Sequence, residues 1–430
     1  MKGNNSPLTP RSFALIIGLL ILEMTVFLAW RPVMPTQTMD TPSYIQASEV
    51  LLSGHLDFMR PPIYPLIIGV SRLIFGTGGL AWTYAVAAVQ FIAFCISIYY
   101  FGRLAGMMIP RRSIALWVTV FYALWPGITQ CIPELMAESL SVSGLTVYVW
   151  MLARAWQTRS GRMLGWSFVM LAAMIMLKPI FIYLLGVAGL VLIIFCLTGL
   201  RRQALTWGLG GMVLVTGVSV GYSMVIKENY GYLTLSCVPY NNNYHLVRRA
   251  HVYPGADFRK PEMVDSVKKW TAEGTSPYAF PLDQEYNKLR AMDFPALIDF
   301  VNESMELNKF AVAKQMALRF YRSCLSGAGY FPLATIPDEI MGNLIRVVDL
   351  HVVGLAMLVL IIIYIRRKHT LPALDTMVWL IYFCGLTLAV VGAQNNWDRL
   401  TVPFLGPAAI FVGQMLSTVT KRKDFTSVMG

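Results

Sequence analysis

A polytopic bundle of about ten membrane-spanning α-helices is the fold class this sequence predicts, and three observations predict it. The first is composition: of 430 residues, 56% are hydrophobic and only 13% are charged. That leaves too little polar surface for a water-soluble domain, and the mean hydropathy of +0.57 agrees. The second is the recurrence of apolar runs close to the roughly 20 residues that cross about 30 Å of hydrocarbon. The third is where the basic residues fall. Lys2 and Arg11, then Arg103, Arg111 and Arg112, then Arg154, Arg159 and Arg162, then Arg201 and Arg202, then Arg366, Arg367 and Lys368, and finally Lys421, Arg422 and Lys423 occupy alternate loops. Cytoplasmic ends of spans carry such an excess.

These clusters hold 16 of the 35 basic residues, and residues 227–346 hold 14 more against 13 acids. The net charge of +12 is therefore a topology signal, and no nucleic-acid partner is expected.

Taken in order, the predicted spans are 12–30, 80–101, 113–130, 137–153, 163–178, 180–198, 204–226, 345–365, 374–393 and 400–418. The first run lacks a small-residue cleavage site and reads as a retained span. Both termini then lie on the cytoplasmic side of the membrane. Residues 31–79 form the first outer loop. Within it, 42–53 read as a surface helix: Thr41 can cap, Pro42 suits the first position, and Gly54 stops it. Tyr44, Ile45, Ala47, Leu51 and Leu52 share its apolar face, opposite Gln46, Glu49 and Ser53. Residues 63–75 as a helix reach only about 20 Å, too short to span, and read as an interfacial helix. Counting them as a span would also invert every later loop.

Three regions follow: an N-terminal bundle, 1–226; a small extracytoplasmic domain of ordinary soluble composition, 227–344; and C-terminal helices, 345–430. If the middle segment is outside, Cys237 and Cys324 could form a disulfide. No Cys or His spacing suggests a metal site, and no cofactor is expected.

The polar residues that need explaining lie at the outer ends. Asp40 either favours the dipole of the helix it precedes or accepts a proton from an attacking hydroxyl. Glu134 and Glu138, in CIPELMAESL, would share one face if helical there; Glu138 also suits a helix first turn. Glu23 lies in mid-span with no partner legible in sequence. Arg31, Arg60, Arg72, Lys178 and Arg399 are the outer cations. Each can serve as a snorkelling anchor, and several around one vestibule would suit a phosphate leaving group. No GxGxxG, GxxxxGK, HExxH or GxSxG occurs.

The order of an Asp soon after the first span, a helix rich in small residues, and then RPPIYPLIIG resembles the first outer loop of GT-C fold glycosyltransferases. This family includes protein mannosyltransferases and the bacterial aminoarabinose and mannosyl transferases. PELMAESL resembles their acidic segment after the third span, and WDRLTVPFLGP their last outer segment. The resemblance is clearest over residues 1–180 and looser at the C-terminus. It implies a multi-span helical bundle with two surface helices in the first outer loop, a polyprenyl-phosphate sugar donor, and Asp40 as catalytic base. Many relatives carry Asp-Glu where this chain has Asp40–Thr41, so the resemblance points away from a metal-dependent version.

The expected function is transfer of a sugar from a polyprenyl-phosphate carrier to a hydroxyl of a glycan, lipid or protein on the outer face of the membrane. Asp40 would be the base, Glu134 and Glu138 would support it, and Arg60, Lys178 and Arg399 would hold the phosphate. The alternatives are a polymerase or ligase using diphosphate-linked glycans, and a lipid or solute transporter. A transporter is expected to show paired, interrupted halves, which the sequence lacks.

Overall fold

The computed structural model describes residues 7–30, 40–199, 201–236, 294–316, 374–381 and 404–426, with isolated positions at 240, 243, 246, 359, 362–364 and 366. All described regular elements are helical. Helix α1, Pro10–Trp30, begins at a reciprocal cap: the Thr9 amide donates to Ser12 Oγ at 2.8 Å and the Ser12 amide to Thr9 Oγ1 at 3.1 Å. Pro10 takes the first position, where its missing N–H costs nothing.

Helices α2, Thr41–Leu52, and α3, Ile63–Phe75, follow as the two short helices expected of the first loop. They pack together where Gly69 lets Leu52 approach: a Cβ on Gly69 would sit 3.3 Å from Leu52 Cγ. Gly54 terminates α2 at φ +87°, a conformation that costs glycine little. The expected cap is different. Thr41 is inside the helix and buried, and its hydroxyl donates to the Leu135 carbonyl at 3.1 Å. Asp40 takes the N-cap position without a side-chain cap bond.

Helix α4, Ala81–Met108, is the longest at 28 residues, about 42 Å of rise. The span expected at 113–130 divides. Helix α5, Arg112–Leu124, ends before Pro126, with Trp125 extended and only the four-residue α6, Pro126–Thr129, beyond. A residue before proline is driven out of the helical region, which explains the break. Helix α7, Glu138–Thr158, is the most enclosed. Its buried Ser141 and Ser143 are tolerated because their hydroxyls donate to the carbonyls four residues back.

Arg159, left-handed at φ 51°, turns the chain, and Ser160 caps α8, Gly161–Leu177. Pro179 then opens a 3₁₀ turn, Pro179–Tyr183, leading into α9, Leu184–Leu197. The short α10, Arg201–Gln203, passes through a π-helical turn, Ala204–Gly208, into α11, Leu209–Tyr230. Helix α12, Phe294–Leu307, lies in the segment expected to form the outer domain. Helix α13, Leu405–Thr426, packs on α5, and a Cβ on Gly413 would come within 2.5 Å of Ile109 and 2.7 Å of Val118.

Among the described residues, three helical stretches are long and apolar enough to cross a membrane: Ala81–Met108, Pro179–Leu197 and Arg201–Tyr230. With the composition they define a helical membrane protein. Most of the expected spans at 345–365 and 374–393, together with Cys237 and Cys324, lie outside the described residues.

The main core is mostly aliphatic around a few stacked aromatic rings. Tyr122 stacks on Phe101 at 4.0 Å between ring centroids, and its hydroxyl is satisfied by Ser97 at 3.0 Å and Thr146 at 2.9 Å. A smaller cluster of Tyr44, Tyr64, Ile68, Trp82, Val86 and Leu177 seals the surface helices onto α4 and α8. This second cluster forms the floor of the site.

Candidate functional site

Residues 56–60 form the loop that carries Arg60. Asp57 is buried, and its Oδ1 accepts from the amides of Met59 at 2.7 Å and Arg60 at 2.8 Å. That side-chain turn fixes the backbone entering Pro61–Pro62. Three hydroxyls hold the same loop from outside. Tyr222 donates to the Asp57 carbonyl at 3.1 Å, Tyr230 to Leu56 at 2.9 Å, and Ser236 to Met59 at 2.6 Å. The last two turns of α11 thus brace a loop over 160 residues away in sequence.

The Arg60 guanidinium, 13% exposed, points back across α2. Its Nη2 donates to Asp40 Oδ1 at 2.9 Å, Nε to Ser43 Oγ at 2.8 Å, and Nη1 to the Tyr44 hydroxyl at 3.3 Å. The guanidinium carbon also lies 4.2 Å from the centre of the Tyr44 ring. Burial disfavours the Arg60 charge, yet Tyr44, Asp40 and Glu138 more than offset it and raise its pKa. Arg60 is a fixed cation in a nearly dry place.

A second pair sits beside the first. Lys178 Nζ donates to Glu138 Oε1 at 2.8 Å, with the two side chains 16% and 6% exposed. Each is placed by a helix boundary: Glu138 opens α7, and Lys178 is the extended residue ahead of Pro179. Glu134 is almost fully buried in the same corner. The shared helical face expected for Glu134 and Glu138 is not realised, because α7 starts only at Glu138 and Glu134 lies in the turn before it. Pro133 and the short α6 make that turn. The Glu134 segment is held by Gln90, whose Nε2 donates to the carbonyls of Ile132 at 2.7 Å and Glu134 at 2.8 Å. Gln90 Oε1 in turn accepts from the Tyr64 hydroxyl at 3.1 Å. Burial, then the nearby Tyr44, Glu138 and Glu134, push the Tyr64 pKa well above its usual range, so Tyr64 is a neutral donor here.

The predicted residues therefore divide. Asp40, Arg60, Glu134, Glu138 and Lys178 come together at one end of the bundle; Arg399 lies outside the described residues. Arg72 stands apart, paired with Glu49 at 2.9 Å. Glu23 has a partner that the sequence did not name: the Thr129 hydroxyl donates to its Oε1 at 2.7 Å.

Sequence reasoning gave no site role to Ser43, Tyr44, Asp57, Tyr64, Gln90 or the braces on α11. Two signals were available. Asp57 lies two and three residues before the amides it accepts from, a spacing typical of such turns, and Gln90 is a lone amide inside an apolar 28-residue helix. No group of three or more His, Cys, Asp or Glu side chains among the described residues is arranged to hold a metal.

No protein-family model matches the chain, and no curated protein matches it. A solved structure described as ArnT from Cupriavidus metallidurans bound to undecaprenyl phosphate aligns with 94% of this chain and 76% of its own, at 14% identity and a TM-score of 0.36. A likeness at that level carries no argument about this chain.

Proposed function

We propose that this chain is a membrane glycosyltransferase that moves a sugar from a polyprenyl-phosphate carrier to an acceptor hydroxyl at the outer face of a bacterial inner membrane. The proposed topology has ten spans, both termini inside, and residues 227–344 outside. The observation that carries the reading is the pairing of Asp40 with Arg60 beside Glu138 with Lys178, at 2.9 and 2.8 Å. Two cations in one half-dry corner suit a lipid phosphate, and a carboxylate within reach suits an acceptor hydroxyl.

Magnitudes indicate how the two roles coexist. Asp40 is 38% exposed, and an ion pair with so wet a partner contributes about 0.2–1 kcal/mol. A charge-assisted bond from Arg60 to a phosphate oxygen contributes about 1.5–3 kcal/mol. The donor phosphate therefore displaces Asp40 from Arg60, while Ser43 and the Tyr44 ring keep the guanidinium in place. Asp40, released, takes the proton from the acceptor hydroxyl as its oxygen bonds to the anomeric carbon. The bond from that carbon to the phosphate oxygen breaks, and its electron pair leaves on polyprenyl phosphate, held by Arg60 and Lys178, with Arg399 as a third candidate. Glu138 and Glu134 hold Lys178 and the field around it.

The test incubates purified protein with a panel of polyprenyl-phosphate sugars and a cell-envelope extract that supplies acceptor hydroxyls, and follows release of polyprenyl phosphate by mass spectrometry. Turnover of one or more donors, absent in Asp40→Asn, is expected. No turnover of any donor, or equal turnover by the variant, would remove the proposal.

A further inference from the structure

A groove of about 340 Å³ lies at the opposite end of the bundle, between α8 and the π-helical turn that opens α11. Arg162 stands at its rim, and Trp166, Val169, Thr206 and Trp207 line it. The π turn adds one residue to the helical repeat and rotates Trp207 onto α8. There it lies across a glycine ledge. A Cβ on Gly161 would come within 2.3 Å of its Cδ1, and one on Gly165 within 2.9 Å of its Cε3. Trp166 and Trp207 remain about half exposed, at 52% and 50%, on the outer surface of a membrane bundle.

Charge identifies the occupant. Arg159, Arg162, Arg201 and Arg202 gather at this end, Arg159 tied to α10 through Gln203, whose Nε2 donates to the Arg159 carbonyl at 3.2 Å. Among the described residues, no carboxylate pairs with any of these four side chains. An open apolar slot walled by two tryptophans, with Arg162 at its rim and the other three arginines near the same end of the bundle, complements one amphiphile: an acyl chain below and an anionic headgroup above.

We infer that this groove binds a glycerophospholipid with an anionic headgroup, its phosphate against Arg162 and an acyl chain along Val169 and Trp207. The site is separate from the paired carboxylates and does not depend on the proposed glycosyl transfer.

Native mass spectrometry of the purified full chain, offered equal amounts of phosphatidylglycerol and phosphatidylcholine, tests this. The parent protein should retain phosphatidylglycerol preferentially, and Arg162→Gln should lower that preference about fivefold. Val169→Trp, which fills the slot from an exposed position, should remove the retained adduct of either lipid. Excess inorganic phosphate should leave the adduct in place. An unchanged preference in Arg162→Gln, a persistent adduct in Val169→Trp, or displacement by free phosphate would each overturn the inference.

Discussion

At the end of the bundle that carries Asp40, three cations each have a carboxylate partner: Arg60 with Asp40, Arg72 with Glu49, Lys178 with Glu138. At the other end Arg159, Arg162, Arg201 and Arg202 have no described carboxylate partner. The contrast follows from solvent. Exposed arginines beside lipid headgroups are stabilised by water and phosphate and need no protein partner. A guanidinium as enclosed as that of Arg60 would be costly alone, so the chain supplies a carboxylate, a hydroxyl and an aromatic face. On the proposed topology, charge at one end orients the protein in the bilayer. Under the proposed transfer, charge at the other is held under restraint for a donor phosphate that can replace the restraint.

The sharpest way to break this contrast is to neutralise one partner. Asp40→Asn keeps the size of the side chain and removes the basic charge, so turnover of a polyprenyl-phosphate sugar should fall by at least ~100-fold. The variant should purify normally, because Asp40 makes no side-chain cap bond to α2. Near-normal turnover would shift the base to Glu134 or Glu138.

Next in size is the cation. Arg60→Ala should cost about 1.5–3 kcal/mol of transition-state stabilisation, read as a fall in kcat/KM for the donor with acceptor affinity less altered. Lys178→Ala should follow the same pattern and in addition leaves Glu138 buried without its partner, so its melting temperature should drop as well. The equivalent change at the opposite end, Arg159→Gln, should leave donor turnover unchanged.

How much of this was legible in the chain can be seen residue by residue. The two short helices of the first loop were, because a mostly apolar helix of 13 residues is too short to span and Gly54 is a plain stop. Asp40, Arg60, Glu138 and Lys178 stood out as charges where lipid makes charge expensive. Their pairing did not, since Glu138 and Lys178 are 40 residues apart and meet only because α7 and α8 are antiparallel neighbours. The helical face expected for Glu134 and Glu138 failed for a local reason, the interruption of the helix around Pro126 and Pro133. The bracing of the 56–60 loop by Tyr222 and Tyr230 was invisible, because a tyrosine near the end of a span also serves as an ordinary interfacial anchor.

A smaller effect separates holding Arg60 from being Arg60. Asp57→Ala removes the acceptor of two backbone amides, and the lost turn should cost about 1–3 kcal/mol of stability. Thermal denaturation should show that loss, and donor KM should rise with it as Arg60 drifts. A lower melting temperature with unchanged KM would make Asp57 a fold residue alone. The smallest expected effect is none at all: EDTA should leave turnover unaltered, and loss that Mg²⁺ or Mn²⁺ restores would refute a metal-free transfer.

The most direct test is equilibrium binding of polyprenyl phosphate to Asp40→Asn and Arg60→Ala, measured beside the parent protein. If the phosphate takes the place of Asp40 on Arg60, Asp40→Asn removes a competitor. It should then bind polyprenyl phosphate at least as tightly as the parent while transferring no sugar, whereas Arg60→Ala should bind roughly 10-fold or more weakly. Equal weakening in both variants would mean that the pair acts as one structural unit, and would contradict the exchange.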